Sequence, residues 1–203
     1  MNLKDTSQVV VMFWKGRKKF SSRFVNAIKA DMRSIGYDLD KIDVGRPVSL
    51  AFKPGPIQIP NGILVQESDL DGETDQNDMS QGMFRAMSLL IQLNYSQMAS
   101  IPSCILIDDI GEGLDYERAS ALIKLLVEKA KNSKVQLIMS TNDRFIMNNV
   151  PLEYWSVVRR FPKRSKIYNY RNAREKFEEF ELTGLNNFDF FSSRFYVEGK
   201  DQE

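Results

Sequence analysis

Residues 104–109 read Cys-Ile-Leu-Ile-Asp-Asp, and this apolar run ending in two carboxylates decides the fold. A short apolar run without alternation is typical of a strand that is buried on both faces of a parallel sheet. Residues 135–139, Val-Gln-Leu-Ile-Met, form a second strand of this buried type. Residues 116–131 between them have a helical pattern, so the three segments predict two parallel strands joined by a crossover helix.

The sequence on the N-terminal side adds helices and shorter strands. Apolar side chains recur at helical spacing in residues 80–95 and again in residues 20–35. The basic residues 15–19 precede the predicted helix of residues 20–35 and are predicted to form a turn. Residues 48–52 and 63–65 are predicted strands, so this half of the chain completes an α/β pattern.

On the C-terminal side, Asp143 is predicted to begin a short helix. Residues 157–158 and 167–170 are predicted to pair as a hairpin around Pro162, and an aromatic-rich segment follows. No linker separates two parts, so we expect one α/β domain over residues 1–203.

Composition excludes several classes of protein. The 203 residues are 42% hydrophobic and 27% charged, which is typical of a globular domain. The chain has no histidine, which excludes His-dependent zinc sites and the Ser-His-Asp triad. Cys104 is the single cysteine, so no intrachain disulfide forms, and we expect a buried, inert thiol in a reducing compartment. With no signal peptide or long apolar run, we expect a cytoplasmic protein without membrane contacts.

The net charge is +1, so no global field attracts nucleic acid or membranes. Two basic groups occur, at residues 15–19 and at residues 159–166. Each is compatible with phosphate contacts to DNA or with solvated surface charge.

Polar residues follow the helix start and both strands. Ser80 and Gly82 lie at the start of the helix of residues 80–95. They form either an ordinary helix cap or a site that binds phosphate. Asp108 and Asp109 stand at a strand end, where one carboxylate can hold Mg²⁺ and the next can activate water, or where both form an acidic turn. Asn142 follows the second strand and should lie at the same sheet edge.

In order and spacing, four segments resemble the C-terminal lobe of ABC-type ATPases of the SMC, RecF and OLD group. Residues 79–83 are similar to the signature LSGGQ, and residues 106–109 are similar to Walker B. Residues 108–115 match the Walker B and D-loop pattern DEPTSALD in length and in the final Leu-Asp, and residues 140–143 are similar to the switch segment. The resemblance implies a partial P-loop NTPase sheet with flanking helices, with its motif-bearing core in residues 66–150 and an extension in residues 151–203.

The resemblance also implies roles for single residues and for cofactors. Asp109 and Asn142 would be catalytic, and Asp108 would bind Mg²⁺. The nucleotide contacts would come from Ser80, Gln81, Gly82 and Asp115. ATP and Mg²⁺ are the implied cofactors. The implied function is ATP hydrolysis in DNA repair or phage defence. The implied partners are a second copy of the chain, which would bind in an ATP-dependent manner, and DNA.

The departures from the family pattern define what is missing. No G-x-x-x-x-G-K-[ST] motif occurs, so ATP and Mg²⁺ would require a P-loop lobe from elsewhere. Asp109 replaces the usual glutamate and Asn142 the usual histidine, which argues for slow hydrolysis. Three interpretations stay open: the C-terminal part of a longer ATPase, one of two separately encoded subunits, or a lobe that only binds partners.

Two other functions compete with an ATPase lobe. One is a non-catalytic interaction module derived from such an ATPase. The other is a metal-dependent nuclease that uses nearly contiguous carboxylates, Asp108, Asp109, Glu112 and Asp115. A two-metal nuclease needs carboxylates from separate strands, which disfavours the second alternative.

Overall fold

The computed structural model describes residues 6–49 and 61–197. Backbone contacts divide the chain into two compact units, Met1–Ser140 and Thr141–Glu203. The single lobe expected over residues 1–203 stays a prediction. Within the described residues, no helix is long and apolar enough to cross a membrane.

The first unit contains three long helices and two small sheets. Its elements are α1 (Thr6–Ser34), β1 (Leu39–Gly45), β2 (Gly62–Glu67), β3 (Thr74–Asp75), α2 (Gln81–Met98), β4 (Ser103–Ile107), α3 (Tyr116–Lys131) and β5 (Val135–Met139). Strands β1, β2 and β3 pair antiparallel in that order. Strands β4 and β5 pair parallel, with Ile105 opposite Leu137. The predicted strand–helix–strand unit is therefore confirmed.

Helix α1 corrects the prediction for residues 15–19. These residues lie inside the helix rather than in a turn. Gly16 lies within the helix and against Phe24: a Cβ on Gly16 would lie 2.4 Å from a carbon of the Phe24 ring. The interruption falls at Ser21 instead, whose φ of 53° is not helical. The strand predicted at Val48–Phe52 is not assigned at Val48 and Ser49, and its other residues lie outside the described part of the chain.

The burial expected for β4 and β5 is wrong on one face. Ile105 and Ile107 are buried, as expected. Leu106 is 69% exposed, its partner Ile138 is 51% exposed, and Cys104 is exposed too. Side chains alternate between the faces of a strand, so these three lie on one open apolar face. A parallel sheet normally has both faces covered, so this one lacks half of its usual cover.

A largely buried ionic cluster joins α1, α2 and α3. The Asp31 carboxylate on α1 accepts a hydrogen bond from Asn94 Nδ2 on α2 at 2.6 Å. It also pairs with Lys129 Nζ on α3 at 2.8 Å. Lys129 donates in turn to Asn94 Oδ1 at 3.1 Å. Each polar group in this cluster has a partner, which a buried charge requires.

The second unit builds a core from its aromatic residues. Its elements are α4 (Arg144–Asn148), a 3₁₀ turn (Leu152–Tyr154), β6 (Ser156–Phe161), β7 (Arg164–Asn169), α5 (Arg174–Glu181) and α6 (Asn187–Ser192). Strands β6 and β7 form the predicted hairpin, and Asp143 caps α4 as predicted. The core includes Tyr168, Phe177, Phe180, Phe190 and Tyr196.

Lys129→Met tests the ionic cluster. We expect a loss of about 3 kcal/mol in unfolding free energy, because Asp31 stays buried without its cation. Hydrogen exchange of the backbone amides of α2 measures this loss of unfolding free energy. Lys124→Met removes an exposed lysine from the same helix and should leave exchange nearly unchanged. Equal effects of the two variants would contradict the assigned role of the cluster.

Candidate functional site

Ser80 forms the N-cap of α2. Its Oγ accepts a hydrogen bond from the N–H of Met83 at 3.2 Å, and its side chain is exposed. The cap uses the oxygen as an acceptor, so the hydroxyl hydrogen is still available to donate. Capping and a phosphate contact are therefore compatible at Ser80. Gln81, the first residue of α2, is exposed and lines an open groove of about 230 Å³.

Gly82 is required by packing. A Cβ on Gly82 would lie 2.1 Å from the carbonyl oxygen of Gly113, so the two backbones are in direct contact. Gly113 itself has a φ of +80°, which a glycine adopts without strain. The contact with the turn after Asp109 thus requires a glycine at this position. A nucleotide contact of Gly82 stays a prediction.

Arg85 connects α2 to the same turn. Its guanidinium donates to the carbonyl oxygens of Asp108 and Asp109, the latter at 2.8 Å, and pairs with Glu112. The side chain is 15% exposed. A role for Arg85 is not predictable from local sequence, because its partners lie more than twenty positions along the chain. The feature of the sequence that could have indicated this role is a basic residue on α2 about one helical turn after Ser80.

Ser140 holds the ends of β4 and β5 together. Its hydroxyl donates to Asp108 Oδ1 at 2.6 Å and accepts from the N–H of Asp109 at 2.9 Å. Its backbone N–H donates to Ile107 O at 2.8 Å, and its carbonyl accepts from Ile110 at 3.1 Å. One residue thus fixes the orientation of Asp108 and the path of the following turn. Asp109 adopts a φ of 47° there, a conformation that aspartate tolerates better than most residues.

Asp108 has the features of a single-carboxylate magnesium ligand. Its side chain is exposed, and within residues 6–49 and 61–197 its carboxylate accepts a hydrogen bond only from Ser140. Mg²⁺ usually takes one or two protein carboxylates and fills its other positions with water and phosphate oxygens. The residues present therefore fit such an ion. Within residues 6–49 and 61–197, no group of three or more acidic or Cys side chains is arranged to hold a metal.

Asp115 acts as the N-cap of α3. Its Oδ1 accepts from the N–H of Arg118 at 2.9 Å, and its other oxygen pairs with the Arg118 guanidinium. The backbone N–H of Arg118 and then its guanidinium lower the pKa of Asp115 below the ordinary value. A nucleotide contact of Asp115 stays a prediction. Asn142 is exposed and belongs to the second unit, and its catalytic role also stays a prediction.

Asp75 anchors the segment before Ser80. Burial opposes its ionisation, but the N–H groups of Ser49 and Asn77 donate to the carboxylate and hold the pKa of Asp75 below its ordinary value. The Asp75 carbonyl also accepts from Asp78 and Met79. The path of the chain into α2 therefore depends on an ionised Asp75.

The similarity of this chain to known proteins lies in its fold. No family model matches the chain, and no significant match is found among curated proteins. The structure resembles an Smc head bound to the C-terminal winged-helix domain of ScpA, with a TM-score of 0.50 and 19% identity over 75% of this chain and 45% of that one. It also resembles the Pyrococcus furiosus Smc head domain with an extended coiled coil, bound to the C-terminal domain of ScpA. There the TM-score is 0.50, with 19% identity over 82% of this chain and 41% of that one.

A further match comes from work on the ATP-driven dimerization and DNA-stimulated activation of SMC ATPases. Its TM-score is 0.48, with 20% identity over 81% of this chain and 97% of that one. The chain spans less than half the length of the two head structures above. The mixed α/β fold, with its parallel strand pair and flanking helices, resembles the fold of these Smc head domains.

Asp75→Asn tests the anchor before Ser80. Because the folded pKa is lowered, ionised Asp75 stabilises the fold above its ordinary pKa of 3.8, and this contribution is lost as the pH falls through the folded value. We expect the melting temperature of the parent to fall more steeply between about pH 5 and pH 3 than that of Asp75→Asn. Parallel curves for the two proteins would contradict this.

Proposed function

We propose that the chain is the C-terminal part of an ABC-type ATPase head that works with a P-loop lobe. It would supply signature, Walker B and switch residues to an ATP site, in DNA repair or phage defence. The observation that carries the proposal is the exposed Asp108 carboxylate, which Ser140 orients at the carboxyl ends of two parallel strands. Ligands of open α/β sheets bind at these strand ends.

The residues proposed for the ATP site would divide the chemistry. Asp108 would bind Mg²⁺, which neutralises phosphate charge when bound. Asp109 would accept a proton from the attacking water, and Asn142 would donate a hydrogen bond to the γ-phosphate. The Ser140 hydroxyl bonds to Asp108 and to the N–H of Asp109, so it would preserve the spacing between the metal ligand and the base.

The open face of β4 and β5 is the proposed contact for the P-loop lobe. Cys104, Leu106 and Ile138 present apolar surface there, although the sequence of both strands is typical of full burial. Covering this face would remove exposed apolar area from water, at about 25 cal/mol per Å². The P-loop lobe would thereby complete both the sheet and the nucleotide site.

The start of α2 would act on a nucleotide held by a second copy of the head. In this proposal Ser80 and Gln81 contact the γ-phosphate through the hydroxyl and the free helix amides. Gly82 would serve by letting α2 touch the turn at Gly113. Arg85 also joins α2 to Asp108 and Asp109, so it would connect the two half-sites that one chain contributes to a dimer.

Two asparagine variants test the roles of the carboxylates. The chain would be co-expressed with the P-loop lobe encoded in frame upstream or in an adjacent gene. Asp109→Asn should reduce ATP turnover at least 100-fold while nucleotide binding persists, because a base is lost and no phosphate contact is removed. Asp108→Asn should weaken Mg²⁺-dependent binding itself. Turnover and nucleotide affinity are measured on the same complex.

The matched control is Asp78→Asn, an exposed carboxylate near the start of α2. It should leave turnover and binding unchanged. Protection of Cys104 from maleimide verifies that each variant assembles, because the thiol is exposed on β4. Hydrolysis at the parent rate by Asp109→Asn would show that the Walker B assignment is wrong.

Three substitutions at Ser80 separate its cap from its proposed phosphate contact. Ser80→Asp keeps the cap but places a negative charge beside the γ-phosphate, so ATP-dependent dimers should disappear while monomer stability is retained. Ser80→Arg should also abolish dimers, at a cost of about 1 kcal/mol for the lost cap. Ser80→Thr keeps cap and hydroxyl and should still dimerise.

Light scattering in an Asp109→Asn background, with ATP and with ADP, makes this measurement. ATP should promote dimers of the parent complex and ADP should not. Dimers that persist in Ser80→Asp and Ser80→Arg would mean that Ser80 is a helix cap and nothing more. Gly82 is not a suitable test position, since any side chain there would displace the turn at Gly113.

A further inference from the structure

The second unit contains a stretch of one-sided charge. Residues 154–174 include no Asp or Glu, although the whole chain has a net charge of only +1. The basic residues in this stretch are Arg159, Arg160, Lys163, Arg164, Lys166, Arg171 and Arg174. The rest of the chain is therefore net negative, and the near-zero total conceals a strongly basic segment.

The fold places five of these seven cations on one hairpin, at residues 159, 160, 163, 164 and 166. Strands β6 and β7 pair from Ser156 opposite Asn169 to Phe161 opposite Arg164, joined by the two residues Pro162 and Lys163. Every residue from 162 to 167 is exposed, so the tip of the hairpin is open to solvent. Cations on both strands and in the turn thus stand within a few residues of one another.

Three tip cations have no acidic partner among the residues that the structure describes. Within residues 6–49 and 61–197, Arg160, Lys163 and Arg164 make no ion pair. Arg164 stacks on the ring of Phe161 at 5.1 Å, which orients its guanidinium without neutralising it. The other basic group, at residues 15–19, differs because Arg17 pairs with Asp43.

Lys163 occupies a position that favours a different residue. Its φ is 64°, in the left-handed region where Gly or Asn is less strained. The turn geometry therefore does not account for a lysine. The lysine adds a cation to the tip at a position where the backbone favours an uncharged residue.

We propose that the tip of the β6–β7 hairpin binds the phosphate backbone of double-stranded DNA. The major groove of B-form DNA admits a two-stranded β-ribbon. Cations on both strands of such a ribbon face the phosphates on both walls of the groove. The arginine fork suits phosphate oxygens in particular. A-form RNA has a narrow major groove that the ribbon does not fit. The site does not depend on the proposed ATPase role.

The experiment measures fluorescence anisotropy of a labelled DNA duplex of about two helical turns, titrated with the full chain without nucleotide. The test protein is the triple variant Arg160→Gln, Lys163→Gly and Arg164→Gln. We expect it to bind roughly 10- to 100-fold more weakly at about 0.1 M salt, with a shallower slope of log affinity against log salt. The glycine suits the turn, so Lys163→Gly alone should raise the melting temperature while it weakens binding.

The matched control removes three exposed cations from the first unit, Arg23→Gln, Lys124→Gln and Lys134→Gln. It should bind the duplex nearly as well as the parent. Absence of duplex binding by the parent at low salt, or an equal loss in the control, would overturn the proposal. Tighter binding of duplex RNA, single-stranded DNA or phosphatidylserine vesicles than of duplex DNA would overturn it as well.

Discussion

The hydroxyl of Ser140 connects the parts on which the first unit depends. It bonds to the carboxylate of Asp108 and to the N–H of Asp109, and thereby joins the ends of β4 and β5. The turn that leaves this junction is held against α2 by Arg85 and by the contact between Gly82 and Gly113. Strand pairing, turn path and helix start are therefore coupled through a few short hydrogen bonds.

The sequence predicted those elements whose signal is local. Helix α3 and strand β5 have the residue ranges expected from their apolar periodicity, and the β6–β7 hairpin forms around Pro162. Ser80 and Asp143 cap their helices, as residues of their types commonly do. Each of these features is determined by residues within a turn or two of each other, so a single sequence is enough.

The features that the sequence did not predict depend on distant contacts. Arg85 and Ser140 reach partners more than twenty positions away, which no local pattern encodes. The apolar sequence of β4 predicts burial on both faces. Whether both faces are in fact covered depends on which other elements pack against the strand, and one face is exposed. The net charge of +1 does not reveal the basic hairpin, because it averages this segment with a net-negative remainder. Composition and periodicity thus describe segments, and the site arises from their assembly.

We propose that this chain holds half of an ATP site and that a P-loop lobe completes it. Calorimetric titration of ATP and Mg²⁺ into the chain alone, and into its complex with the P-loop lobe, tests this proposal. The chain alone should bind ATP with a Kd above about 0.1 mM. The complex should bind ATP about 100-fold more tightly or better, and only when Mg²⁺ is present. Micromolar, Mg²⁺-dependent binding by the chain alone, or no gain in the complex, would contradict the claim.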